Sequence, residues 1–217
     1  MKKFELTSEF ITFLGRKLFR IKALIEFGDV KAGELGGYIE KEENLDQYGN
    51  AWVYDNAWVY DNAQVYGDAW VYGNAQVYGD ARVYGDAQVY GDAQVCGDAR
   101  VCGDAQVCGD ARVYGDAQVC GDARVCGGAQ VCGDARVYGN ADILQITGLG
   151  TVHRTTTVFK TPDGVRIACG CFFGDLPAFE KQVVNTREGK VQAEYLKFAE
   201  LIRIYFEIQE DKHAGTD

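Results

Sequence analysis

The chain has 217 residues, a formal net charge of −10 and 25% charged residues. That acidic balance argues against a phosphate-binding surface, so direct nucleic-acid binding is not expected. No apolar run reaches the roughly 18 residues that a membrane span requires, and none is predicted.

The first residues, Met1-Lys2-Lys3-Phe4-Glu5-Leu6-Thr7, carry charge but no apolar core segment or small-residue cleavage site. A secretory signal is therefore not expected, which points to a cytoplasmic location with reduced thiols. Apolar residues alternate through Phe4-Glu5-Leu6, Phe10 to Leu14 and Leu18-Phe19-Arg20-Ile21, with Gly15-Arg16 placed like a hairpin turn. Gly28, Gly33, Gly36 and Gly37 follow, and residues 1–44 read as a small N-terminal β cap.

From Ala51 to Asn140 the chain repeats every six residues, with Ala at 51, 57 and onward to 135 and Val at 53 and onward to 137. The unit reads Ala-x-Val-Tyr/Cys-Gly-Asp. Ala and Val sit two apart, so on a strand they share one face, and the residue between them points outward. Gly-Asp then turns the chain, Gly supplying permissive backbone angles. Asp55 and Asp61 replace that Gly, and Asp enters left-handed backbone more readily than most residues. One strand and one turn per hexad give three sides per 18-residue coil. Fifteen hexads give five coils and a prism about 24 Å tall. Both open ends need caps.

The spacing of an aliphatic residue and a small residue four positions later, as in Val53 and Ala57 or Val95 and Ala99, resembles the hexapeptide-repeat family of left-handed β-helices. That resemblance implies a mainly β fold, a left-handed parallel β-helix over residues 45–144. Here Tyr or Cys stands directly after the aliphatic residue, where the family commonly has Gly. The lead-in from Phe27 to Ile39, and the tail with Thr155-Thr156-Thr157-Val158-Phe159 and Cys169-Gly170-Cys171-Phe172, look like hexapeptide-repeat proteins of bacteria and their phages. Those proteins carry no activity to transfer, and the resemblance implies only a fold and a bacterial or phage context.

Beyond Asn140, Val152 to Lys160 and Val165 to Phe172 read as two strands joined by Pro162-Asp163-Gly164. Asp175, with Pro177 close behind, opens a helix, and a second helix runs from about Val191 to Ile208. Residues 145–217 are thus expected to form an α+β cap of ββαα order.

Variation inside the array is narrow and has the pattern of recent tandem duplication, so single letters carry limited information. One asymmetry stands out. Residues 51–90 hold three Trp and seven Tyr, whereas residues 91–140 hold six Cys and two Tyr. The outward aromatics Trp52, Trp58 and Trp70, with Tyr54 and Tyr72, are the candidate binding residues; that the N-terminal cap or another subunit covers them is the preferred reading. Asp recurs at 18-residue spacing in three ladders, either accepting turn N–H bonds or bridged by a cation such as calcium. Turn capping is the preferred reading, because the Gly-Gly-x-Gly-x-Asp calcium pattern is absent. Cys102 and Cys120, and Cys108 and Cys126, also stack at that spacing, but in-register parallel strands are expected to hold them at poor angles for a disulfide. Cys169-x-Cys171 is too sparse for zinc, and His153 reads as a strand histidine with a local partner. No metal or cofactor is expected.

Function divides three ways. An acyltransferase of the hexapeptide family would use a histidine base beside a cleft, yet the only histidines, His153 and His213, lie outside the array. A carbohydrate-binding β-helix would use the stacked Trp and Tyr. The favoured expectation is a non-enzymatic binding or scaffold protein that contacts a protein partner. If phage-borne, it would act as an inhibitor of a host factor. The family resemblance adds a possible homotrimer.

Overall fold

The structure, a computed structural model, describes residues 2–208; His213 lies outside them. Strands β1 (Phe4–Phe13) and β2 (Arg16–Ala23) form a hairpin, and β3 (Leu35–Ile39) pairs antiparallel with β2. The hairpin turn places Leu14 and Gly15 at positive φ (47° and 79°), the twist a two-residue connection needs.

Fifteen two-residue strands, β4 (Trp52–Val53) to β18 (Arg136–Val137), then wind one per hexad. They sort into three parallel sheets. Side one carries Trp58, Gln76, Gln94, Arg112 and Gln130 in its outward rank, and continues through β3 into the hairpin. Side two carries Trp52, Trp70, Gln88, Gln106 and Arg124. Side three carries Gln64, Arg82, Arg100, Gln118 and Arg136. Every partner lies 18 residues away, so the chain is a parallel β-solenoid. Each array Ala and Val is fully buried. The coiling begins before the first hexad: Tyr38 pairs with Trp58, Ile39 with Val59 and Leu45 with Val65, all parallel.

The corner Gly residues adopt φ near +70°, as Gly91 does at 73°. A Cβ built there would meet the Gly109 amide nitrogen at 3.0 Å, so stacking and conformation both demand Gly. Asp55 (φ 51°) and Asp61 (φ 59°) accept the same geometry at the first coil. Each carboxylate takes a backbone N–H from the coil below, Gly73 at 3.1 Å and Gly79 at 3.4 Å.

Asp68 accepts the Asn50 N–H at 3.2 Å, but the other ladder aspartates do not cap turns in the expected way. The turn N–H groups already donate to carbonyls of the next coil, as Asp80 N does to Gly97 O at 2.9 Å. The carboxylates instead stand exposed at the corners. Asp68, Asp80 and Asp92 accept an Asn side chain from the coil before, at 2.7, 3.2 and 3.1 Å.

The cysteine expectation is also corrected. Cys102–Cys120 and Cys108–Cys126 are disulfides, with Cα atoms 4.5 and 4.6 Å apart. These residues sit at the corner just after the strand. Stacking there brings the Cα atoms within bridging range. In the third column Tyr114 separates Cys96 from Cys132, and both remain thiols.

In the bonds between coils the carbonyls point toward the N-terminal end and the N–H groups toward the C-terminal end, as Trp52 N to Ala69 O shows at 3.1 Å. The caps answer with opposite chemistry. At the first end, side-chain donors cover carbonyls. Buried Lys3 Nζ donates to Ala51 O at 2.9 Å and Tyr48 O at 3.3 Å, and Asn44 Nδ2 donates to Ala63 O at 2.9 Å. At the far end, side-chain acceptors cover N–H groups. Thr157 Oγ1 takes Gln130 N, Asn140 Oδ1 takes Arg124 N, each at 3.1 Å, and Asp142 Oδ2 takes Tyr138 N at 2.9 Å.

The C-terminal unit has four strands where two were expected: β19 (Ile143–Leu149), β20 (Arg154–Thr161), β21 (Gly164–Cys169) and β22 (Phe172–Gly174), in sequential antiparallel order. Helices α1 (Leu176–Thr186) and α2 (Gly189–Tyr205) follow, and Asp175 caps α1 by accepting Ala178 N at 2.9 Å. The sheet is two-faced. Phe159 and Ala168 close the solenoid core, while Val158 and Ile167 pack on the helices.

Candidate functional site

The five candidate aromatics are dispersed by the fold. Trp52 is 0% exposed, with Phe4 and Phe27 at ring-centroid distances of 6.1 and 5.3 Å. The N-terminal cap therefore covers it, and its Nε1 is buried with no hydrogen-bond partner among the described residues. Trp52 offers no surface to a partner. Trp58 lies on side one, half-buried against Phe13 at 5.0 Å.

Tyr54, Trp70 and Tyr72 come together on side two. Tyr54 meets Trp70 edge to face at 5.8 Å. Tyr72 stacks on Tyr90 at 4.8 Å and donates its hydroxyl to Gln88 Oε1 at 3.3 Å. With Asp29, Asp55 and Gln88 they line an open groove of about 430 Å³. Burial pushes the Tyr54 phenol up to about 12, and the nearby Glu34 and Asp29 carboxylates push it the same way. The ring is thus a neutral phenol in an anionic setting.

Three lining residues were missed by sequence reasoning. Gln88 follows Trp70 by 18 residues, so the repeat could have placed it in that rank. Asp55 is adjacent to Tyr54 and could have been found in the same way. Asp29 gives no such signal, because it reaches the groove from the Phe27–Val30 turn.

A second groove, of about 570 Å³, opens on side three beside Tyr48 and Tyr66, with Glu42, Glu43 and Asp46 at its edge. Elsewhere, His153 sits exposed in the turn between β19 and β20 at φ 48° and not on a strand; its Nδ1 is 3.1 Å from Gly148 O. Cys169 Sγ accepts the Thr156 hydroxyl at 3.1 Å. Among the described residues no group of three or more His, Cys, Asp or Glu is arranged to hold a metal ion.

A family model described as YdcK Beta solenoid repeat matches residues 63–76, 75–91, 93–109, 105–121 and 129–142. No curated protein sequence matches the chain. The matched segments fall in the hexad region and its exit, and neither the N-terminal hairpin nor the helices share in them. The array is therefore a parallel β-solenoid whose hexads are similar to the YdcK solenoid repeat, wound in about six turns when the lead-in coil through Ile39 and Leu45 is counted.

Proposed function

We propose that this protein is a non-enzymatic binding scaffold of bacterial or phage origin that acts through protein contacts made at its N-terminal, aromatic end. The observation that carries this reading is the side-two groove, where Tyr54, Trp70 and Tyr72 expose ring surface beside two carboxylates. A rigid solenoid holds those rings in place without further ordering cost, the circumstance in which aromatic side chains serve as binding anchors. The array supplies no histidine for general-base chemistry, which keeps an acyltransferase as the lesser alternative.

Affinity capture with purified chain tests the reading. A partner retained by the wild type and by Arg136→Ala, but lost with Trp70→Gln, supports it. Equal retention by Trp70→Gln removes the groove from the account. Glutamine is the commonest residue at equivalent outward positions, so the variant coil has every reason to fold.

A second reading, carbohydrate binding, draws on the same rings together with the Gln88 amide. A glycan array in which signal depends on Trp70 would put it first. A homotrimer and a cytoplasmic location complete the proposal. Sedimentation velocity checks the former. Thiol labelling in intact cells checks the latter, because the two cysteine pairs would be held reduced in a cytoplasm.

A further inference from the structure

We infer that the side-two groove takes an arginine side chain from an exposed basic segment of a partner protein. The inference rests on the binding role just proposed for that groove and names the chemistry of its occupant.

Two corners of the same coil differ in one respect. Asp55 and Asp61 occupy equivalent positions one hexad apart, each following a tyrosine and each at positive φ. On side one the cap supplies a cation to this corner. Arg16 Nη1 lies 2.6 Å from Asp61 Oδ1 and 3.0 Å from Glu40 Oε1, close enough to Tyr60 to lower that phenol's pKa against the stronger push of burial. On side two the corner has the same parts, Tyr54 and Asp55, with Asp29 beside them. No lysine or arginine lines that groove, and neither Asp29 nor Asp55 forms an ion pair among the described residues. Among the described residues Asp55 accepts only the Gly73 N–H, which leaves carboxylate lone pairs free.

The aromatic walls suit the same ligand. The face of an indole or phenol ring attracts a cation, and a guanidinium can lie flat on it while its edge reaches a carboxylate. The cap already uses such contacts, with Arg20 over Tyr38 at 5.1 Å and Lys17 over Phe10 at 4.3 Å. A chain of net charge −10 also draws basic segments from a distance. A neutral sugar would use the rings but leave both carboxylates unmatched.

The test is titration calorimetry of the full chain at 0.15 M salt with hexa-arginine, hexa-lysine and a neutral cello-oligosaccharide. Hexa-arginine is expected to bind most tightly. Trp70→Gln, and separately Asp29→Asn with Asp55→Asn, are each expected to weaken it about tenfold. Asp98→Asn with Asp116→Asn removes the same charge from a distant ladder and is expected to change affinity by less than about twofold. Equal weakening by the ladder variant would reduce the effect to general electrostatics and overturn the inference. Absence of hexa-arginine binding, or tighter binding of the oligosaccharide, would also overturn it. The two proposals fail separately. Should partner capture depend on Trp70 yet ignore the Asp29 and Asp55 variants, the binding role stands and the arginine falls.

Discussion

Reducing the two disulfides is expected to remove about 6 kcal/mol from the stability of the oxidised array. Each bridge closes a separation of 18 residues, for which chain entropy predicts about 3 kcal/mol. The loops interleave, so once Cys102–Cys120 is closed, the path from Cys108 to Cys126 through that bridge shortens to about 12 residues, and the second bridge contributes slightly less than the first. Urea unfolding with and without a phosphine reductant measures the difference. Cys102→Ser and Cys108→Ser should each lose about half of it under oxidising conditions, and should match the reduced wild type more closely once reductant is added. Cys96→Ser, which breaks no bridge, serves as the control. Because solenoids can open coil by coil, hydrogen exchange at Gln106 N–H, bonded to Ala123 O at 2.9 Å between the bridged coils, gives a local readout. A loss on reduction below about 1 kcal/mol would refute the reasoning, because the bridges would then not be constraining the unfolded chain.

Other outcomes follow from single residues. Val101→Ala removes two methyl carbons from a fully buried position and should cost about 2–3 kcal/mol by urea unfolding, the transfer loss plus a cavity term. Asp55→Gly relieves the left-handed φ of 51° and loses the Gly73 bond, so it should stay within about 0.5 kcal/mol of wild type. Asp55→Ala keeps the strain and loses the bond, and should cost about 1–2 kcal/mol; an alanine variant as stable as the glycine one would contradict this. For Lys3, burial lowers the ammonium pKa from 10.5 to about 8, against smaller opposing effects of Asp46 and Asp68. Between those values the unfolded chain binds the extra proton, so stability should rise as pH climbs from 8 toward 10. The tyrosines work the other way. Tyr54 and Tyr60 are raised from 10.0 to about 12, so the unfolded chain loses their protons first and stability should fall above pH 10. Unfolding midpoints across this range should trace a maximum, and Lys3→Met should flatten its rising limb.

The coil was legible in the sequence because its information is local and repeated. Ala and Val two apart, then Gly, fixed a strand and a turn in every hexad, and the 18-residue period fixed every partner from Trp52–Trp70 to Gln118–Arg136. What escaped depended on geometry that spacing does not encode. The stacked cysteines had the right separation, but only the corner position revealed that their Cα atoms could bridge. Trp52 occupied an outward position, and its burial came from Phe4 and Phe27, which are distant in sequence. Strand β19 (Ile143–Leu149) was overlooked because it starts just past the turn at Asn140–Asp142, where the hexad pattern has ended. The groove was half legible: its tyrosines and Trp70 were named, while Asp29 arrived from a loop.

The three sides of the solenoid are nearly interchangeable, and each cap touches only its own end. The hexad count therefore acts as an angular index between two fixed heads. Losing or gaining one hexad would leave both caps on familiar coil ends, yet swing the C-terminal helices by a third of a turn relative to the aromatic groove. Three hexads restore the original bearing and change only the length, by about 4.8 Å. Duplication and deletion within such a gene would thus alter the direction in which the C-terminal unit faces, step by step, with no change to either end. A family of length variants would share one grip and differ in where it points the rest of the molecule.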